Sequence, residues 1–139
     1  ADCVAVHMRC GDYLSNPVFL KKYASLDKSY YANALSKFSG VKRVMVFSDN
    51  VAVAQRLIED WQLREDLEWS FFRPTGDDIE DMWRMSTYEG LICANSTYSL
   101  SAAYLAKIRG ENIQVVVPFK WFNDEKFAPI HYCSDWLIA

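Results

Sequence analysis

Cys3-Val4-Ala5-Val6-His7-Met8-Arg9-Cys10-Gly11-Asp12-Tyr13 begins as a strand and ends as a turn. Its first half is a short apolar run carrying the β-branched Val4 and Val6, and Gly11 lets the backbone bend sharply just beyond. An apolar run on both alternating faces belongs to a strand covered from both sides, as in a parallel sheet. Strand alternation places His7 and Arg9 on one face and Met8 and Cys10 on the other. Arg9 therefore falls at the sheet's rim.

Further short β-branched runs follow at intervals, separated by longer stretches of helical period. That alternation predicts βα units and a Rossmann-like parallel sheet with helices on both faces. Strands are expected near 2–8, 43–48, 68–72, 90–94 and 113–117, with a weaker one near 135–138. Helices are expected near 28–38, with Tyr31, Leu35 and Phe38 on one side, and near 50–63, with Val53, Leu57, Ile58 and Trp61 together. A third helix starts after Thr75-Gly76-Asp77, with acidic Asp77, Asp78 and Glu80 in its first turn, where carboxylates favour the helix dipole. It is expected to turn Ile79, Met82, Trp83 and Met85 inward. A fourth follows Asn95-Ser96-Thr97 and stops at Gly110, a residue suited to ending a helix. Residues 118–134, containing Pro118 and Pro129, read as an irregular but packed tail, and Trp61, Trp83, Trp121 and Trp136 as core by default, with a cleft edge as the alternative for Trp121 and Phe122.

The chain has 139 residues, of which 51% are hydrophobic and 15% aromatic, enough for one core and one domain. Its formal net charge is −3, and the basic residues stand singly or in doublets such as Lys21-Lys22. A nucleic-acid or anionic-membrane surface needs a basic stripe, so those partners are excluded from the expectations. Cys3, Cys10, Cys93 and Cys133 form no C-x-x-C pair, and three lie in or beside apolar runs; this predicts buried thiols and a cytoplasmic, reducing setting, peripheral at most to the inner face of a membrane. No stretch approaches the roughly 20 apolar residues that span a bilayer, and no export signal opens the chain. Because a strand begins at once with nothing before it to cover it, the chain reads as a fragment of something longer.

Ligands of open parallel sheets bind beyond the carboxyl ends of the strands, so the residues after each apolar run carry the functional question. Two clusters stand there. Arg9 offers a planar fork of donors suited to phosphate, with His7 beside it and Gly11-Asp12 in the turn. Asn95-Ser96-Thr97-Tyr98-Ser99 sits where a strand gives way to a helix, a place where N–H groups and hydroxyls bind anions. Together they supply a cation and neutral donors without a glycine-rich nucleotide loop.

These residues resemble the signatures of the α-1,2-fucosyltransferases, glycosyltransferase family 11. The family's first motif, H-x-R-R-G-D-Y, corresponds to His7 through Tyr13. A later block, an acidic residue and methionines followed by N-S-[ST]-[FY]-S, corresponds to Asp81-Met82, Met85-Ser86 and Asn95 through Ser99. Ser48-Asp49, Pro118 and Lys120-Trp121-Phe122 match further segments, so the resemblance runs along nearly the whole chain. It implies one lobe of a GT-B architecture, an inverting transfer from GDP-fucose to a glycan hydroxyl, no metal and no cofactor beyond that donor. It also implies an amino-terminal lobe that is not part of this chain. The site residues that follow are Arg9, Asp12 and His7 for catalysis, and Arg9, Gly11, Asp49, Asp81, Asn95, Ser96, Thr97 and Ser99 for the donor. Two positions depart from the pattern: Cys10 replaces the second arginine, and Leu100-Ser101 stands where an aromatic pair is usual. Alternation points residue 10 to the back of the strand, so Cys10 is expected to repack that face.

Each site residue also has a plain role. Arg9 can be a surface charge or the partner of Asp12, and His7 a satisfied strand-end histidine; neither His7 nor His131 has carboxylates at zinc-site spacing. Asp12 suits a tight bend as well as a general base or a residue positioning the sugar. Ser96 or Thr97 can cap a helix, a role compatible with phosphate binding. Asn95-Ser96-Thr97 matches a glycosylation acceptor only formally, given its place at a strand-to-helix junction. Asp49 can accept from guanine or ribose, or belong to a helix cap at Ser48-Asp49-Asn50. Asp77, Asp78, Glu80 and Asp81 read as a solvated helix start rather than a metal site. Two rivals remain: a non-catalytic nucleotide- or anion-binding module, and a transferase using another nucleotide sugar such as UDP-linked sugars or GDP-mannose.

Overall fold

The computed structural model of the chain describes residues 2–10, 26–119 and 132–139. Every expected apolar run forms a strand: β1 (Cys3–Met8), β2 (Arg43–Ser48), β3 (Glu68–Phe71), β4 (Gly90–Ile92), β5 (Gln114–Val117) and a two-residue β6 (Leu137–Ile138). Among the described residues they alternate with helices α1 (Lys28–Ser36), α2 (Val51–Trp61), α3 (Asp78–Met85) and α4 (Thr97–Ile108). The strands form one sheet in the order β3-β2-β1-β4-β5-β6, with every neighbouring pair parallel. This is the Rossmann-like arrangement, and its order reverses between β1 and β4, the switch point where ligands of such sheets bind.

Alternation along β1 builds two cores. Val4, Val6, Met8 and Cys10 face α1 and α2, packing with Tyr31, Leu35, Phe38 and Ile58. Ala5 faces the other way, toward Phe47, Met85, Leu91, Leu100, Ala103 and Val117. Cys10 is buried in the first core, the back of the strand, where the sequence places it. Gly90 lies opposite Val4, and a Cβ there would come 2.5 Å from Phe38 Cε1 and 2.7 Å from Val4 Cγ1, so the ring of Phe38 packs where a side chain would otherwise stand.

Each helix starts at a short polar side chain that accepts an otherwise unpaired N–H: Asp27 from Tyr30, Asn50 from Val53, Asp77 from Ile79 and Glu80, Ser96 from Tyr98. Gly110 has φ +78° and closes α4 as expected. None of the described helices is long and apolar enough to cross a membrane, and all four cysteines are free.

One expectation is corrected. Ile79 and Trp83 do not face inward; they are 77% and 49% exposed. Met82 and Met85 do face inward, and beside them Asp81, expected in a solvated helix start, is buried, because the helix meets the sheet through its last turn while its first turn overhangs the strand ends. The Trp83 ring is covered from outside by the Arg109 guanidinium, 4.3 Å from the ring centroid. Trp136 is buried and Trp61 packs against the first core. Of the expected tail, Tyr132 and Cys133 pack on the second core and the Tyr132 hydroxyl donates to the Pro118 carbonyl at 2.9 Å, whereas Phe119 is exposed. Lys120-Trp121-Phe122 lies outside the described residues.

Candidate functional site

A cleft of about 520 Å³ runs over the carboxyl ends of β1, β2 and β3 to the start of α4. β1 contributes His7 and, one residue past its end, Arg9; β2 contributes Phe47 and Ser48, followed by Asp49. Phe72 and Pro74 enter from the segment after β3, Asp78 and Asp81 from α3, and Ser96, Thr97 and Tyr98 from the start of α4. The cleft thus lies at the switch point and joins an arginine to a helix N-terminus across it. Its floor is apolar where the rings of Phe47 and Phe72 stack with centroids 4.5 Å apart.

His7 is 5% exposed, and its Nδ1 makes no hydrogen bond. Burial lowers its pKa to about 4, with the nearby Asp49 carboxylate opposing and the Arg9 guanidinium adding to that effect. At neutral pH the imidazole is therefore uncharged. Its ring stands 5.5 Å from that of Tyr98. The Tyr98 hydroxyl donates to the Asp78 carbonyl at 2.7 Å, tying the first turns of α4 and α3 together. Burial and the carboxylates Asp81, Asp78 and Asp77 push that phenol up to about 12.

Asp49 does not cap α2, a role taken by Asn50. Its Oδ1 accepts from the Cys10 N–H at 2.6 Å, pinning the chain just beyond β1 to the end of β2. Ser96 Oγ accepts the Tyr98 N–H at 3.2 Å, the cap expected of it. Asp81 is buried, and its carboxylate accepts from both the hydroxyl and the N–H of Thr75.

Six of the residues singled out in the sequence share this cleft: His7, Arg9, Asp49, Asp81, Ser96 and Thr97. Asn95 and Ser99 do not line it. Asn95 is 2% exposed and borders a water-sized cavity of about 30 Å³ on the α1–α2 side, together with Arg9, Cys10 and Trp61, which also makes it a poor glycosylation acceptor. Ser99 is fully buried, and its hydroxyl takes the Ala94 N–H at 3.2 Å, bracing the strand-to-helix turn from within. Gly11 and Asp12 lie outside the described residues. Sequence reasoning missed the cleft residues Phe47, Phe72, Pro74 and Tyr98 and the supporting Thr75. Only the aromatic position of the N-S-[ST]-[FY]-S pattern pointed toward any of them. Among the described residues no group of three or more His, Cys, Asp or Glu side chains is placed to hold a metal.

Fold and site together define a Rossmann-like α/β domain with a polar cleft at its switch point. The chain belongs to glycosyl transferase family 11, whose model matches residues 1–138. It is 32% identical over 129 residues to the O-antigen biosynthesis glycosyltransferase WbnK of Escherichia coli, an alignment covering 88% of this chain and 40% of that protein. It is 28% identical over 137 residues to an alpha-1,2-colitosyltransferase of Escherichia coli, covering 95% of this chain and 45% of that protein. The chain thus spans less than half the length of these curated relatives. No solved structure matches it.

Proposed function

We propose that this chain is the donor-binding lobe of an inverting, two-lobed GT-B glycosyltransferase, holding the diphosphate of GDP-fucose for α-1,2 transfer to a glycan hydroxyl. The observation that carries the proposal is the meeting of Arg9 with Ser96 and Thr97 in one cleft at the switch point. In the reaction, the acceptor oxygen bonds to the anomeric carbon as that carbon's bond to the β-phosphate oxygen breaks. The electron pair leaves with GDP, and the acceptor proton passes to a base. Charge grows on the departing phosphate, so donors already aimed at it stabilise the transition state most. Arg9 and the first turn of α4 take this role, in place of a divalent cation. His7 supplies a neutral hydrogen bond to sugar or phosphate, and Asp81 and Asp49 accept from the nucleoside. Gly11 lets the backbone approach, and Asp12 serves as base or positions the sugar. Ser99 acts from behind the cleft by holding the turn that opens α4, and Asn95 sits behind it beside the small cavity. The acceptor site belongs to the lobe beyond this chain, and the four free thiols fit a cytoplasmic, reducing setting.

The name of the second relative favours one variation, in which the transferred sugar is colitose rather than fucose. Both versions place the same diphosphate in the same cleft. Calorimetry of the chain with GDP and with UDP tests the shared part. GDP is expected to bind at least about tenfold more tightly, a difference of about 1.4 kcal/mol. Equal affinity for UDP would replace GDP-fucose by another nucleotide sugar, and absence of binding to either would remove the proposal. GDP binding with no transfer after the amino-terminal lobe is restored would instead favour a non-catalytic nucleotide module.

A further inference from the structure

Asp81 is a charged side chain buried at the edge of the cleft, and a buried carboxylate requires donors. Two of them come from one residue. Thr75 Oγ1 donates to Asp81 Oδ1 at 2.7 Å, and the Thr75 N–H lies 3.4 Å from Oδ1 and 3.2 Å from Oδ2. The simplest account would make this a helix-start motif, but the start of α3 is already satisfied. Asp77 Oδ1 accepts from the N–H groups of Ile79 and Glu80, at 3.0 and 3.1 Å. Thr75 Oγ1 in turn accepts from the Asp77 N–H at 3.2 Å, which fixes the hydroxyl itself. The bond from Thr75 to Asp81 is thus superfluous for capping, and what it does is set the rotation of a carboxylate. Thr75 shares one N–H between Oδ1 and Oδ2 and gives its hydroxyl to Oδ1, and a carboxylate has about four lone-pair positions. The remainder are available to a ligand in the cleft that Asp81 lines.

We infer that Thr75 is a positioning residue for nucleotide recognition: it holds the Asp81 carboxylate so that its unused lone pairs accept N–H or O–H donors from the nucleoside of the bound donor. The inference rests on the donor-site reading above and adds a residue to it. Without the hydroxyl, Asp81 keeps only the longer contacts from the Thr75 N–H and is held less firmly, and binding weakens through that loss of preorganisation.

The test is GDP calorimetry on Thr75→Val, Thr75→Ala and Thr75→Ser, each also made in an Asp81→Asn background, with melting midpoints in parallel. Val and Ala are expected to weaken GDP about tenfold, Ser to stay within about twofold of the parent, and Val to add less than about twofold once Asp81 is Asn. Unchanged affinity in both Val and Ala, failure of Ser to restore it, or an equal loss in both backgrounds would overturn the inference. If Arg9→Ala abolishes binding while the Thr75 variants bind normally, the donor site stands and Thr75 alone is removed from it. If the parent chain binds no GDP, both fall together.

Discussion

Arg9→Ala is expected to lower the affinity of the chain for GDP by at least about a hundredfold while leaving its fold intact. A hydrogen bond to a charged group contributes about 1.5–3 kcal/mol, and a guanidinium forks two of them onto one phosphate. Losing both corresponds to roughly 10²–10⁴ in affinity. Arg9 lies past the end of β1 and is only partly buried, whereas the neighbours that build the core, Met8 and Cys10, point to the opposite face. Truncation should therefore spare the packing. Arg9→Lys should recover little, because an ammonium is a point charge without the fork. Calorimetry with GDP, alongside circular dichroism to verify folding, decides the matter. An unchanged affinity would remove Arg9 from the site.

The second large effect is a loss of stability in acid that originates at His7. Its pKa in the folded chain is about 4, lowered by burial from the usual 6.5. Between those values the unfolded chain binds a proton that the folded chain refuses, so stability falls as pH drops. The contribution is complete above about pH 6.5 and is progressively lost toward pH 4. Two and a half pH units correspond to about 3 kcal/mol at most, a large fraction of the stability of a small domain. Carboxylates also titrate in this range, so the informative quantity is a difference. Urea unfolding at pH 7, 5.5 and 4.5 should show the parent chain losing stability more steeply than His7→Gln. Parallel curves would mean that His7 is not held neutral by the fold. The same burial leaves Nδ1 without a hydrogen-bond partner, a further cost of enclosing this ring.

Most of the sheet was legible because its signals are local. Valines and isoleucines mark β1, β2, β4 and β5, and Asp27, Asn50, Asp77 and Ser96 announce the helices by a chemistry that operates within one turn. The opposed faces of Arg9 and Cys10 followed from strand alternation alone. The first turn of α3 was not legible in this way. Helical period groups Ile79 with Trp83, and an apolar pair normally faces a core; here the overhanging turn gives its inner position to Asp81. A carboxylate takes that place because the cleft, rather than the sheet, lies beneath it. Asp49 was open between a cap and a ligand contact, and its bond to the Cys10 N–H joins segments 39 residues apart, which no local pattern reports. The burial of Asn95 and Ser99 was hidden for the same reason: the motif lists five polar or aromatic residues in a row without saying which of them brace the turn from behind.

The central claim is that one diphosphate touches Arg9 and the first turn of α4 together. A crystal structure of the chain with GDP bound tests this most directly. The β-phosphate should lie within hydrogen-bond distance of the Arg9 guanidinium and of an N–H or hydroxyl from residues 96–99, with the nucleoside reaching toward Asp81. A nucleotide bound elsewhere, or a phosphate that meets only one of the two, would contradict it.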